Sequence, residues 1–225
     1  MVKFIAELGG NAAPFTKPHL LRMLTAARFA GADMVKVQLF SADHFPEEER
    51  EAKLVLEFPR VKLAWFFRMA GLYGLVPGAS VFSEDDAHDA ACTGAAFLKL
   101  ATREEMNAWL RYRVNCIAQT HHMPVFRSAR WPKPYPPLPV YYHEVTFGCI
   151  PEYPTTRANW CLVNALEGWS SHTTGWDDVL AAVRGGATII EKHLDLDGTG
   201  PEAAWSLTPE EFREMVLAAR AIDRK

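Results

Sequence analysis

A chain of 225 residues, 49% hydrophobic and 23% charged, is long and apolar enough to bury a sizeable core, which excludes disordered, collagenous and fibrous classes. Its 24 Lys and Arg against 27 Asp and Glu leave a net charge of −3 with no long run of either sign, so the basic footprint of a nucleic-acid binder is missing and any anionic ligand must be held locally. No stretch approaches the ~18 consecutive apolar residues of a membrane span, and Glu7 interrupts the N-terminus before a signal-type segment develops, so a soluble, cytoplasmic protein is expected.

The chain alternates short β-type runs with longer stretches of helical period, the pattern of a parallel sheet with crossover helices. Phe4 to Leu8 reads as a first strand, broken by Gly9-Gly10-Asn11. A helix follows from Thr16, an N-cap with Pro18 in the first turn, to Gly31. Met34 to Leu39 is the second strand, followed by a polar loop through Pro46-Glu47-Glu48-Glu49 and a helix carrying Leu63, Phe66, Phe67 and Ala70. Ala79 to Phe82 is the third strand, and Ser83 with Asp86 opens the next helix as a capping box. Phe97 to Leu100 is the fourth, with Thr102 and Glu105 expected to cap the helix through Trp109, and Pro124 to Ser128 is the fifth.

The regularity then breaks. Prolines at 132, 134, 136, 137 and 139 forbid an α-helix there, so the fifth crossover helix is expected to be missing, and the span from Tyr153 to Leu166 is short for a sixth. Val140 to Phe147 reads as the sixth strand, a seventh follows at Glu167 to Ser170, and a helix runs through Val179, Leu180 and Val183. Ala187 to Glu191 is the eighth strand, and Thr208 with Glu211 caps a last helix with Pro209 at its first position. Eight parallel strands predict a single-domain (β/α)8 TIM barrel over residues 1–225, with crossover helices 5 and 6 missing or reduced and the site at the C-terminal strand ends. The face left bare over strands five to seven is expected to support a homodimer or other oligomer.

That placement selects Glu7, Lys36, Gln38, Lys99, Thr102, Ser128, Tyr153, Ser170, His172, Lys192 and His193. A lysine inside a sheet needs an anionic partner because an unpaired buried ammonium is costly; two of them, Lys36 and Lys99, point to a phosphate or carboxylate ligand, while the plainer reading pairs a lysine with Glu7 or Glu191. His172 and His193 end neighbouring strands and can ligate a divalent metal or serve as caps and packing. His121 and His122 precede the fifth strand and read as surface. Cys92, Cys116, Cys149 and Cys161 form no CxxC and read as reduced core filler.

In combination, three segments resemble the barrel of the sialic acid (N-acetylneuraminate) synthase family: Ile5 to Asn11, Gly31 to Gln38, and Phe97 to Thr102. Tyr153-Pro154-Thr155, Gly168 to Gly175, Gly186 to Leu194 and Gly200-Pro201-Glu202 follow in the same order. The resemblance implies a transferase in which C3 of phosphoenolpyruvate attacks the aldehyde of an open-chain aldose resembling N-acetylmannosamine, water adds at C2, and phosphate leaves. It implies Mn2+ or Mg2+ on His172 and His193, and phosphoenolpyruvate on Lys36, Lys99, Thr102, Ser128 and Ser170. Glu7 and Glu104 would be catalytic, and Gln38, Tyr153 and Glu202 would face the sugar. Ala12, Ser171, Pro151 and the Ala129-Arg130-Trp131 run depart from the family pattern, mostly on the sugar side, and the family's antifreeze-like second domain is expected to be absent. The alternative is a non-catalytic barrel that binds phosphoenolpyruvate or phosphate as a partner or regulatory subunit.

Overall fold

The computed structural model describes residues 1–131, 144–156 and 167–223. Eight strands run in parallel: β1 Lys3–Glu7, β2 Met34–Leu39, β3 Val76–Val81, β4 Phe97–Leu100, β5 Val125–Arg130, β6 Glu144–Cys149, β7 Gly168–Ser171 and β8 Ile189–Leu194. Each pairs with the next, and β1 closes on β8 from Lys3↔Ile189 to Glu7↔His193. This closed barrel is the predicted (β/α)8 architecture. A two-residue β9, Ser206–Leu207, pairs with β8 beyond the end of β7.

The helices outside the barrel are α1 Lys17–Phe29, α2 Glu47–Leu54, α3 Leu63–Leu72, α4 Glu84–Thr93, α5 Ala108–Thr120, α6 Asp177–Arg184 and α7 Pro209–Asp223. Thr16 and Ser83 cap α1 and α4 by accepting the backbone N–H groups of His19 and Asp86, and Thr208 and Glu211 exchange bonds at the start of α7. Two expectations fail locally. The run after Pro46 is not a loop but α2, because three glutamates in a first turn favour the positive end of the helix macrodipole. Thr102 forms a 3₁₀ turn instead of a cap, and Asn107 caps α5 through the Leu110 N–H. Among the described residues no helix joins β5 to β6 or β6 to β7. The Pro-rich run 132–139, the expected strand start at 140–143 and the second short link at 157–166, with Cys161, lie outside the described residues. No described helix is long and apolar enough to cross a membrane.

The alternation of strand residues sorts the barrel interior into levels. Ile5, Phe97, Phe126 and Phe147 form a buried apolar plug, flanked by Met34, Val145 and Ile189. Two residues further along seven of the eight strands, the side chains become polar: Glu7, Lys36, Ser80, Lys99, Ser128, Ser170 and Glu191, all nearly inaccessible, with Cys149 at this level on β6. Outside the barrel, Val35, Val37, Leu98 and Ile190 belong to the core shared with the helices. On the outer face of β5 and β6, the buried carboxylate of Glu144 joins Arg111 of α5 to Arg127 of β5.

The plug needs room that glycine supplies. A Cβ at Gly78 would stand inside the Phe97 ring, and one at Gly168 would lie 2.7 Å from the Phe147 ring. Gly78→Ala should destabilise the protein by about 1–3 kcal/mol through overpacking, read as a fall in urea midpoint at constant m-value. An unchanged midpoint would show that the plug is not packed this way.

Candidate active site

Above the plug, a cavity of about 500 Å³ opens at the C-terminal ends of the strands. Its deepest polar contacts are ionic. Lys36 Nζ pairs with Glu7, donates to Ser80 Oγ at 2.6 Å and lies 3.8 Å from Glu191 Oε2. Lys99 Nζ pairs with Glu191 Oε1 at 2.5 Å, reaches Ser170 Oγ at 3.3 Å and sits 5.2 Å from the Phe147 ring centre. Ser170 Oγ donates to the same Glu191 oxygen at 2.8 Å, and Glu7 Oε1 accepts the Gly9 N–H at 2.7 Å. The two lysines therefore have the carboxylate partners of the plainer sequence reading, and the four charges cancel.

Their protonation follows from burial and from each other. Loss of hydration lowers the Lys36 ammonium to about 7, with Lys99 acting in the same direction and Glu191 opposing it. Burial acts to raise the Glu191 carboxyl, but Lys36 and Lys99 outweigh it and hold the group below the usual carboxylate range. Around this quartet, hydroxyl capacity is left over. Ser128 Oγ is buried with no hydrogen-bond partner, and Thr102 Oγ1 has none beyond the nearby Cys149 thiol. Both hydroxyls share the cavity with the two ammonium groups, and each has hydrogen-bonding capacity to spare.

The imidazoles of His172 and His193 face each other with ring centres 5.4 Å apart. His193 Nδ1 is bonded to Glu202 Oε2 at 2.8 Å, and His172 Nδ1 meets Cys149 Sγ at 3.6 Å. Burial and the neighbouring His193 hold His172 well below the usual histidine value, so its ring is neutral. Burial raises the Cys149 thiol to about 11, so it stays protonated. The loop after β8 is strapped to the loop after β1: Asn11 donates to Leu194 O and Ser206 Oγ, and its Oδ1 accepts the Glu202 N–H at 2.9 Å. Gly9, at φ +43°, has no room for a Cβ against the Glu202 carboxylate.

Behind the wall, outward-pointing Lys192 fixes the end of β7. Its buried Nζ donates to Thr173 O at 2.5 Å and Ser171 Oγ at 3.1 Å. Thr173 Oγ1 and Trp169 Nε1 converge on the carboxylate of Asp178 in the first turn of α6, at 2.8 and 2.7 Å. Burial lowers Lys192 to about 8, with Asp178 opposing the fall. Ser170 and His172 are thereby turned into the cavity while their neighbours anchor the strand.

Of the residues selected from sequence, Glu7, Lys36, Gln38, Lys99, Thr102, Ser128, Tyr153, Ser170, His172, His193 and Glu202 line one cavity. Lys192 does not, because it lies on the opposite face of β8 from His193. Glu104 does not line it either: its carboxylate pairs with Arg103 Nε at 3.1 Å and accepts from Asn107 Nδ2 at 3.3 Å. Tyr153 is half exposed, its ring 4.3 Å from that of His172. His121 and His122 are exposed, as expected. Cys149 is buried, as expected, with its side chain also bordering the cavity, whereas Cys92 is exposed and is not core filler. The sequence reading gave no place in the site to Ser80, Arg103, Arg130 or Trp205, and it treated Glu191 only as a possible lysine partner. Inward register was the available signal for Ser80, Arg130 and Glu191, since they sit two residues from Gly78, Ser128 and Ile189 on strands whose phase is already known.

Fold and site together define a TIM barrel whose strand ends surround a buried pocket of paired lysines and carboxylates with hydroxyls beside them. Residues 139–225, less than half of the chain, match the model of the NeuB family. An uncharacterised protein of Methanocaldococcus jannaschii is 39% identical over 88 residues, covering 34% of this chain and 26% of that protein. The N,N'-diacetyllegionaminic acid synthase of Legionella pneumophila is 25% identical over 88% of this chain and 66% of its own length. The chain thus spans a quarter to two thirds of these relatives. The sialic acid synthetase of Leptospira borgpetersenii, solved with citrate, superposes with a TM-score of 0.83 at 23% identity, covering 99% of this chain and 84% of that one; the likeness is one of fold.

The Lys36 value sets the pH response of the pocket. Below about 7 the ammonium is charged and attracts an anion; above it, the folded protein loses that charge. Affinity for sulfate, which does not itself titrate in this range, should fall as pH rises through about 7 in calorimetric titrations. Lys36→Arg, whose charge persists, should flatten the profile. A wild-type affinity that rises with pH would contradict the assignment.

Proposed function

We propose that this protein condenses phosphoenolpyruvate with the aldehyde of an open-chain aldose, resembling N-acetylmannosamine, to give a nonulosonic acid and inorganic phosphate. One observation carries the reading: Lys36, Lys99, Ser170 and the partnerless hydroxyl of Ser128 all line the closed end of one cavity. That is the donor set for a ligand bearing both phosphate and carboxylate. The NeuB match and the named synthases among the relatives support it.

In this reading Lys36, Lys99, Thr102, Ser128 and Ser170 hold phosphoenolpyruvate, replacing the internal contacts of the quartet. Gln38, Tyr153 and Glu202 border the space left for the sugar, and Trp205, 5.6 Å from Tyr153 ring to ring, closes that side. C3 of phosphoenolpyruvate forms a bond to the aldehyde carbon, whose oxygen gains a proton. Water adds at C2, and the C2–O bond to phosphate breaks, leaving the water oxygen as the ketone. Glu7 and Glu191 are the carboxylates placed to accept the proton that the water gives up. The Glu104 carboxylate, paired with Arg103, stands apart from the cavity lining.

The imidazole pair suits a divalent ion. With Nδ1 of His193 on Glu202 and Nδ1 of His172 on Cys149, Nε2 of each ring is the nitrogen left to face an ion. Among the described residues no three His, Cys, Asp or Glu side chains are grouped to hold an ion by themselves, so water and substrate oxygens would complete the coordination of Mn2+ or Mg2+. Such an ion would supply Lewis-acid polarisation of the aldehyde oxygen.

Purified protein with Mn2+, phosphoenolpyruvate and a panel of aldoses should release phosphate only when an acceptor is present. Absence of release with every acceptor, despite phosphoenolpyruvate binding, would contradict catalysis and favour the non-catalytic barrel. His193→Ala should lose Mn2+ binding by electron paramagnetic resonance and at least a hundredfold in turnover, with unchanged circular dichroism. Retained binding and turnover would remove the metal from the account.

A further inference from the structure

The charges lining the cavity are unevenly distributed. Lys36 with Glu7 and Lys99 with Glu191 are already neutral as pairs, and Glu202, hydrogen-bonded to His193, is the one further carboxylate among the described lining residues. The other charged lining residues are all cationic and lie at the mouth: Lys53 on α2, Arg103 in the turn after β4 and Arg130 at the end of β5. Two of these are held in place by aromatic rings. The Arg103 guanidinium lies 4.5 Å from the Phe45 ring centre and 5.5 Å from that of Phe82, and Lys53 Nζ lies 4.9 Å from the same Phe45 ring. Phe45 and Phe82 in turn pack edge-on against buried Phe40, at 5.2 and 5.9 Å. The nearby carboxylates are Glu104, on Arg103 Nε, and Glu105, which accepts the Arg130 backbone N–H; neither lines the cavity.

Two like charges sharing one ring repel each other at a separation within about one Debye length, unless an anion sits with them. The proposed reaction brings such an anion, since phosphoenolpyruvate carries about three negative charges near neutral pH. A neutral quartet offsets none of that charge in sum, and a divalent ion would leave at least one negative charge over. From this imbalance, and resting on the proposed function, we infer that Lys53, Arg103 and Arg130 form an anion-binding subsite at the mouth that takes a phosphate or carboxylate group of a substrate. Phosphoenolpyruvate is one source of that group, and an acceptor sugar bearing its own phosphate is the other.

These side chains are at or near the surface, Arg103 being 44% accessible, so their replacement leaves the fold intact. The test compares wild type with the triple variant Lys53→Gln, Arg103→Gln, Arg130→Gln, using calorimetry with phosphoenolpyruvate and phosphate-release kinetics with an N-acetylated aldose and its 6-phosphate. A tenfold or larger loss of phosphoenolpyruvate affinity that shrinks as salt is raised supports the subsite and assigns it to phosphoenolpyruvate. Unchanged phosphoenolpyruvate affinity, with a tenfold or larger rise in KM for the phosphorylated aldose only, supports it and assigns it to the acceptor. Equal affinity and equal KM for both aldoses in the two proteins overturn it while leaving the proposed function standing. Wild-type protein that binds no phosphoenolpyruvate overturns the proposed function and the subsite together.

Discussion

Two ammonium groups inside a barrel, each needing a counter-charge, are the constraint from which the rest of the site follows. An unpaired buried charge costs several kcal/mol, so Lys36 and Lys99 hold Glu7 and Glu191 in fixed positions, and Ser80 and Ser170 take up remaining hydrogen bonds. Because the apolar plug of Ile5, Phe97, Phe126 and Phe147 seals the barrel immediately beneath, this charged layer cannot reach water from below. Among the described residues the layer opens to the cavity at the C-terminal mouth, and in the proposed reading a ligand entering there replaces internal ion pairs with its own.

The scaffold around the quartet turns this exchange into a directed one. Lys192, Ser171, Thr173 and Asp178 anchor the end of β7 from outside, so that Ser170 and His172 keep their inward orientation. Asn11 binds the loops after β1 and β8 to one another, which fixes Glu202 against the Gly9–Gly10 backbone and through it the tautomer of His193. Phosphate-type donors lie on one side of the cavity strands, the imidazole pair with Tyr153 and Trp205 on another, and the cationic aromatic wall at the mouth.

Much of this was legible in the sequence because barrel architecture converts spacing into position. Lys36 and Gln38, or Ser170 and His172, are two residues apart and so share a face, and the strand order makes those faces converge. Legibility failed where position depends on packing between distant segments. Glu104 stands two residues from Thr102, yet a 3₁₀ turn carries its carboxylate away from the cavity onto Arg103. Conversely, Lys53, Phe45 and Arg103 meet only because the run after Pro46 folds as α2, which its polarity disguised as a loop. Glu191 was visible as a lysine partner, but its bond to Ser170 and its reach to both lysines at once are products of closure between β1, β7 and β8.

The central claim, that the buried quartet opens to receive an anionic ligand, is tested most directly by a crystal structure of the protein soaked with phosphoenolpyruvate. The account predicts its phosphate within hydrogen-bond distance of Ser128 Oγ, Ser170 Oγ and Lys99 Nζ, with the bond from Lys99 to Glu191 lengthened or broken. Phosphoenolpyruvate bound elsewhere, or bound in the cavity with both ion pairs and the lone Ser128 hydroxyl undisturbed, would contradict it.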